Sequence, residues 1–397
     1  MVNIKRIQAE LAREGVDGWL FYDFHNRDAI AYRVLGMDYG KFTSRRWFYW
    51  IPTHGEPVRL VSKVEATKLD SLPGEKREYL SWRELHASLK EILAPAKTVA
   101  MQFSPTANIP YVSTIDGGTV DLIRSLGFDV VSSAGLVQTF EAVLDDAGYK
   151  SHVEAGRRVQ KIKDEAFDLI GTELRAGREI TQYDVQRFIA RRFEEEGLDC
   201  MEEYPIVGSD EQQANPHFEP TAENARPIKP GDRILIDLWA KLAQPGAIFY
   251  DITWCGYVGA NPPAKYVEIF NVVRDARDAA LAFVRERFAS ATPVHGWEVD
   301  DACRKVVEDA GYGPYFIHRT GHNIGEEVHG NGVNIDNLET KDERLLVNGI
   351  CFSIEPGIYL PGEMAVRSEI DVFITPSGSV EVAGAMQRDL ILIDVGE

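Results

Sequence analysis

The chain has 397 residues, more than the roughly 250–300 that one hydrophobic core supports, so two domains are expected. Acidic side chains number 62 against 43 basic ones, a formal charge of −19 that argues against a nucleic-acid backbone or an anionic membrane as partner. Apolar content of 44% with mixed charge argues against disorder.

The first residues, MVNIKRIQAELAREG, form a charged, helix-like run without the apolar centre of a signal peptide. No apolar run approaches the ~20 residues that span a bilayer. Cys200, Cys255, Cys303 and Cys351 lie far apart with no CxxC pair and read as free thiols in a reducing compartment, so a cytoplasmic protein is expected.

Ile4, Ile7 and Leu11 give residues 1–17 helical periodicity, and the strand-like GWLFY and a loop, DFHNRD, follow. Strands are expected at RRWFYWIP and PVRLVSK around the turn THGE, with the run Trp47, Phe48, Tyr49 and Trp50 as strand core. Helical stretches at 82–93 and 119–126 alternate with strand signals at TVAMQF and DVVSS. This alternation describes a small α/β domain over residues 1–134 with no catalytic constellation of its own.

Over residues 135–397 the pattern changes to long amphipathic helices followed by strand pairs, and the region appears twice. His152-Val153-Glu154 aligns with Tyr266-Val267-Glu268 at an offset of 114, and the same offset pairs Asp164 with Asp278, Ala166 with Ala280, Tyr183 with Trp297, Val185 with Val299 and Gly197 with Gly311. The reading is two copies of helix–helix–hairpin related by a pseudo-twofold axis.

Acidic residues follow the duplication. Asp237 and Asp251 lie 14 apart on ILIDLWAKL and FYDITW, joined through Gln244-Pro245-Gly246; Glu355 and Glu369 lie 14 apart on CFSIEPGIYL and AVRSEIDVFI, joined through Pro361-Gly362. Each pair sits on two apolar strands of a hairpin, where residues equidistant from the turn face each other. Two hairpins meeting about a pseudo-twofold bring four carboxylates together, and carboxylates in apolar strands are costly unless their charge is compensated.

Between the hairpins, FIHRTGHNIGEEVH holds three of the chain's nine histidines, His318, His322 and His329, spaced by four and seven with Gly321 and Gly325 between. Alone, such a stretch is compatible with an ordinary loop. Beside four acids it suggests metal chemistry, because two divalent cations cancel four negative charges, and oxygen-rich ligation with one imidazole suits Mn²⁺, Co²⁺, Fe²⁺ or Zn²⁺ better than a closed structural zinc site.

With these residues in view, the region from about 135 resembles the pita-bread metallopeptidases, and within them the proline-specific branch of Xaa-Pro dipeptidases (prolidases) and Xaa-Pro aminopeptidases. NPHFEPT, ILIDLW…YDIT, HRTGHNIG…VH, SIEPGIY and VRSE carry the resemblance in order, and RIQAELAREGVDGWLFYDFHNRDAIAYRVLG extends it to the first domain. It implies an α/β N-terminal domain plus an α+β pita-bread catalytic domain. The implied activity is hydrolysis of Xaa-Pro peptide bonds by a hydroxide bridging two divalent metal ions, with manganese first in expectation and cobalt, zinc or iron as substitutes.

By position, the resemblance implies that Asp237 chelates one metal, that His322 and Glu355 hold the other, and that Asp251 and Glu369 bridge both. It gives Glu355 the proton shuttle, His329 the scissile carbonyl, and His217 the leaving nitrogen or the substrate's C-terminal side. His318 and Arg367 shape the proline side; Tyr359 is a further substrate-binding candidate, and Thr253 supports the metal shell. It also implies a small peptide substrate and a homodimer in which the small domain covers the neighbour's catalytic mouth.

The chain departs from the family pattern in a longer first hairpin, at Trp239, where a small residue is usual, at Trp254-Cys255 and at Asn323. These departures bear on pocket shape and proline preference. Cys255 and Cys351 share strand faces with Asp251 and Glu355 and read mainly as small core residues. Two other readings stand beside the peptidase: a metal-dependent hydrolase of a small non-proline amide or C–N bond on the same scaffold, and a non-catalytic binding module.

Overall fold

The structure is a computed structural model that describes residues 2–396, and it divides the chain into two compact units, Met1–Glu141 and Ala142–Glu397. The division falls after Glu141 rather than at 134. The short helix Ala134–Val137 sends Ala134, Leu136 and Val137 into the core of the first unit, so the chain leaves that unit only after it has packed.

The first unit is a six-stranded mixed sheet. Its strands are β1 (Gly18–Asp23), β2 (Trp47–Pro52), β3 (Val58–Ser62), β4 (Glu75–Tyr79), β5 (Thr98–Met101) and β6 (Asp129–Ser132), in the order β4-β3-β2-β1-β5-β6. The aromatic run is strand core on both faces. Trp47 and Tyr49 join the cluster under helices Ile4–Glu14 and Ala29–Leu35, while Phe48 and Trp50 join the cluster under Trp82–Leu93 and Gly117–Ser125. Alternation of side chains across a strand buried on both faces produces this split.

In the second unit the duplication is visible in helix boundaries. The first copy has α1 (Asp146–Arg175) and α2 (Gln182–Glu195); the second has α3 (Ala264–Ala289) and α4 (Gly296–Asp309). Adding the offset of 114 to the end of α1 and to both ends of α2 gives the end of α3 and both ends of α4. The caps repeat as well: Thr181 and His295 each close a capping box, with Asp184 and Glu298 as reciprocal partners.

Each helix pair supports a sheet. The first joins β7 (Leu198–Asp199), β8 (Ile206–Ser209), β9 (Arg233–Leu242) and β10 (Tyr250–Val258). The second joins β11 (Asn323–Ile324), β12 (Cys351–Ile354), β15 (Ile370–Ile374) and β16 (Val380–Ala383), with β13 (Gly357–Leu360) and β14 (Met364–Arg367) as a separate ribbon; β17 (Ile391–Ile393) returns to pair with β10.

Both hairpins differ in detail from the simple expectation. In β9–β10, Asp251 pairs with Trp239 and Asp237 with Thr253, so the two aspartates are diagonal neighbours rather than opposite partners. The loop centres on Pro245, one residue later than equidistance requires, and one residue of centring moves the partner by two. The second hairpin is broken. Ile354 pairs with Ile370 and Gly357 with Arg367 in one continuous register that sets Glu355 opposite Glu369, but the ladder opens between them. Pro356 has no N–H to donate, while Glu355 N–H donates to Thr320 O (2.7 Å) and Glu369 N–H to Thr253 O (3.2 Å). The glutamates thus sit where the ribbon is pulled open towards the neighbouring elements.

Gly321, just before His322, packs against the same ribbon: a Cβ there would stand 2.0 Å from the Ser353 carbonyl oxygen. Gly321→Ala is expected to cost about 2–3 kcal/mol, read as a lower urea midpoint with an unchanged m-value.

Candidate metal centre

Strand alternation puts Asp237 on β9, and Asp251 and Thr253 on β10, on one face, and the opened second hairpin delivers Glu355 and Glu369 to it. The bend between α4 and β11 adds His322. His322 Nε2 lies 3.7 Å from Asp251 Oδ2 and 3.3 Å from Glu355 Oε1. Asp251, His322 and Glu369, all buried, each offer a ligand atom within 4.8 Å of the others. Thr253 ties the first hairpin to the second, its hydroxyl lying 3.1 Å from Asp237 Oδ1 and 2.8 Å from Glu369 Oε2.

The donor set fits cations. Asp251 Oδ1 and Glu369 Oε1 are buried without a hydrogen-bond partner among the described residues. The His322 Nδ1 contact to Asn323 O (3.3 Å) assigns that nitrogen the proton, leaving the Nε2 lone pair facing carboxylate oxygens. Burial and neighbouring positive groups hold His322 well below the ordinary imidazole range, so it is neutral. Burial, then mutual repulsion, pushes Asp251 and Glu369 well up. Burial also raises Asp237 against the pull of Arg367, and Glu355 goes up to about 7. Converging, unpaired carboxylate oxygens that burial and mutual repulsion otherwise drive to take up protons are what divalent ions compensate.

One side of the cluster is a relay of hydrogen bonds. Arg367 contacts Asp237 Oδ2 through Nη2, donates from Nε to Thr253 Oγ1 (2.9 Å) and from Nη1 to the Tyr359 hydroxyl (3.0 Å). Tyr359 in turn donates to His318 Nε2 (2.9 Å), whose Nδ1–H donates to Arg319 O (2.7 Å). Burial, reinforced by Arg367, lowers His318 to about 3, which keeps it an acceptor. Burial alone would lower Arg367, but Asp237 and its neighbours hold it charged. Tyr359 is therefore tied by hydrogen bonds to both Arg367 and His318 beside the cluster.

His329 and His217 stand at the rim, both exposed. The His329 ring lies 4.3 Å from that of His322. Although its edge meets solvent, crowding and the Arg319 and His217 charges hold its pKa below that of free imidazole. His217 is close enough to influence both Asp237 and His329.

The departures separate. Trp239 shares the face of Asp237. Trp254 points the other way, towards helix α1, with Lys163 Nζ 3.4 Å from its ring centroid, so it shapes the helix packing and not the pocket. Cys255 is buried and donates to Arg367 O (3.3 Å); buried Cys351 lies 3.7 Å from His152 Nε2.

Three groups near the centre escaped sequence reasoning. Asp371, fully buried two residues after Glu369, accepts the Asp251 N–H (2.8 Å), and His152 Nε2 is 3.9 Å from the same oxygen. An acid in the apolar run IDVFI was the available signal for Asp371. The third is Arg319, whose charge reaches His318, His322, His329 and Glu355.

Comparison with known proteins agrees with this geometry. The model of metallopeptidase family M24 matches residues 154–376. The chain belongs to that family. It is 35% identical over 173 residues to an Xaa-Pro dipeptidase of Lactobacillus delbrueckii subsp. lactis, a match covering 44% of this chain and 42% of that protein. The chain thus spans less than half the length of this curated relative. The crystal structure of dipeptidase PepE from Mycobacterium ulcerans superposes with a TM-score of 0.70 at 24% identity, covering 99% of this chain and 97% of that one. X-prolyl aminopeptidase from Caenorhabditis elegans, described as a cytosolic enzyme with a di-nuclear active site, superposes at 0.63 with 16% identity, covering 96% and 61%. The M24 fold is the pita-bread fold, here preceded by an N-terminal α/β domain.

Mn²⁺ added to metal-stripped protein at a hundred times its dissociation constant is expected to stabilise the fold by about 2.7 kcal/mol, raising the thermal midpoint. Asp251→Asn and Glu369→Gln should lose most of that rise, and a wild-type shift in either variant would show that ions bind elsewhere.

Proposed function

We propose that this protein hydrolyses Xaa-Pro peptide bonds, with dipeptides as its main substrates, using two divalent metal ions. Asp237, Asp251, His322, Glu355 and Glu369 would hold the ions, and manganese is the assignment for an oxygen-rich set with one imidazole. The observation that carries this reading is the buried convergence of four carboxylates and a neutral histidine with unpaired acceptor atoms. The dipeptidase name borne by its curated relative supports the substrate class.

When bound, the ions supply Lewis acidity and a water acidic enough to attack near neutral pH. An Xaa-Pro bond is a tertiary amide with no N–H, and its ring fixes φ, so the site must work without a substrate N–H to grip. His329, at the rim beside His322, is placed to donate to the carbonyl oxygen as negative charge develops. Glu355, opposite Glu369 and 3.3 Å from His322, carries the proton towards the leaving imino nitrogen, with His217 at the open side. His318 and Tyr359, locked by Arg367, form the wall for the proline ring.

The charge of Arg319 reaches His318, His322, His329 and Glu355, and on that ground we assign the substrate's terminal carboxylate to Arg319. On this reading Arg319→Gln raises KM for Ala-Pro about tenfold, and Ala-Pro amide feels the change far less. Equal losses on both would show that Arg319 supports the fold instead.

The assembly we propose is a cytoplasmic homodimer with the small unit of one copy over the catalytic mouth of the other. Charge supports it: residues 1–141 carry 17 basic and 17 acidic side chains, leaving the whole −19 on residues 142–397. Among the described residues, no helix is long and apolar enough to cross a membrane. Light scattering is expected to give twice the chain mass, and a strict monomer would refute the arrangement.

The deciding experiment reloads metal-stripped protein with Mn²⁺ and compares Ala-Pro, Ala-Pro-Ala and Ala-Ala. Cleavage of Ala-Pro alone is the expected result, and Asp251→Ala should abolish it while the chain still folds. Cleavage of the tripeptide would make it an aminopeptidase. Failure on both proline substrates would overturn the proposal.

A further inference from the structure

The centre has two unlike sides. On one stands the charged relay of Arg367, Tyr359 and His318. On the other, one rung further along β9, stands Trp239, directly across the ladder from Asp251 and on the same face as Asp237. It is half-buried, packed with an apolar cluster that includes Phe249, Ile324 and Val328. Its indole N–H meets no acceptor among the described residues, so apolar contact alone holds the ring. The neighbouring loop that carries His329 is fastened to this side by Phe249 N–H to Gly325 O (3.0 Å) and Lys241 Nζ to Glu326 O (2.6 Å). The ring therefore stands between a fixed strand and a fixed loop, against the carboxylates.

We propose that Trp239 determines specificity for the residue preceding proline, and that it does so as an apolar platform. The inference rests on the peptidase reading above. With the ring of proline on the relay side, the side chain of the residue before it extends towards Trp239. There it meets an aromatic face and the Val328 side chain. The substrate class this selects has an apolar residue such as leucine, methionine or phenylalanine before the proline; glycine leaves the platform unused, and an aspartate loses its hydration against it. A single apolar side chain in such a pocket is worth 10–200-fold in discrimination.

The test compares Leu-Pro, Gly-Pro and Asp-Pro on Mn²⁺-loaded wild type and Trp239→Ala, together with Leu-Ala and Gly-Ala. Wild type is expected to prefer Leu-Pro over Gly-Pro by tenfold or more in kcat/KM and Asp-Pro least. Trp239→Ala should reduce the Leu/Gly ratio about tenfold, through KM. An unchanged ratio would overturn the proposal, as would a variant that improves the larger substrate, since Trp239 would then be a barrier. The peptidase reading fails separately: cleavage of Leu-Ala and Gly-Ala without the proline pairs would sink proline specificity while still reporting the ratio. In a protein that turns over none of them, calorimetry of Leu-Pro and Gly-Pro binding reads the same preference. Trp239→Phe, which keeps a ring and the fold, should retain most of it.

Discussion

Charge buried in an apolar interior is the constraint on which the catalytic unit depends. Asp237, Asp251, Glu369 and Asp371 are each under 10% exposed, and Glu355 lies against them. Isolated, each would cost several kcal/mol as an anion in such surroundings. Among the described residues, Arg367 contacts Asp237 directly, and Thr253 and backbone N–H groups add hydrogen bonds. His318 and His322 add no charge, because burial holds them neutral. What remains is a deficit of positive charge at one point, and a metal-binding protein is built around such a deficit.

The duplicated fold is how the chain delivers opposing acids to that point. A hairpin places a side chain well along its own face but cannot surround anything. Two hairpins facing one another can. The helices kept their common offset at three of their four boundaries while the hairpins diverged: β9–β10 is a continuous ladder, whereas the second opens at Glu355-Pro356 and Ser368-Glu369. The opening has a local cause in proline and a tertiary cause in the bonds from Glu355 to Thr320 and from Glu369 to Thr253. That asymmetry gives the two halves of the centre different surroundings although they descend from one plan.

Much of this was legible in the sequence because the signals were periodic or paired. A constant offset identifies a repeat without any knowledge of packing, and acids in apolar strands announce that something compensates them. Register was less legible. The sequence permits a turn centred on Gln244 or on Pro245, and only the packed loop decides, so the diagonal placement of Asp237 and Asp251 could not be read. Trp239 and Trp254 look alike as departures from a family pattern, yet strand alternation sends one to the face of Asp237 and the other under Lys163. Arg319 depends on contacts between segments far apart in the chain, to which its neighbours in sequence give no clue. Asp371 carried the same signal as Glu369 and was passed over because it had no partner in the spacing of 14.

The division between what the ions need and what a substrate needs follows from these placements. Ligand atoms must converge within a few ångströms, so every backbone position bearing one is tightly determined, down to Gly321, where the Ser353 carbonyl leaves no space for a methyl group. Positions one rung away, such as Trp239, share the strand face of the carboxylates but answer only to packing. A chain can therefore hold the cluster of acids and His322 constant and change the apolar wall without moving the carboxylates. The charged relay on the other side has no such freedom, because Arg367 both neutralises Asp237 and positions Tyr359. A mutation there changes charge compensation and the position of Tyr359 together, whereas the apolar wall can vary alone. The apolar wall around Trp239 is thus the part of the centre that this architecture leaves easiest to vary.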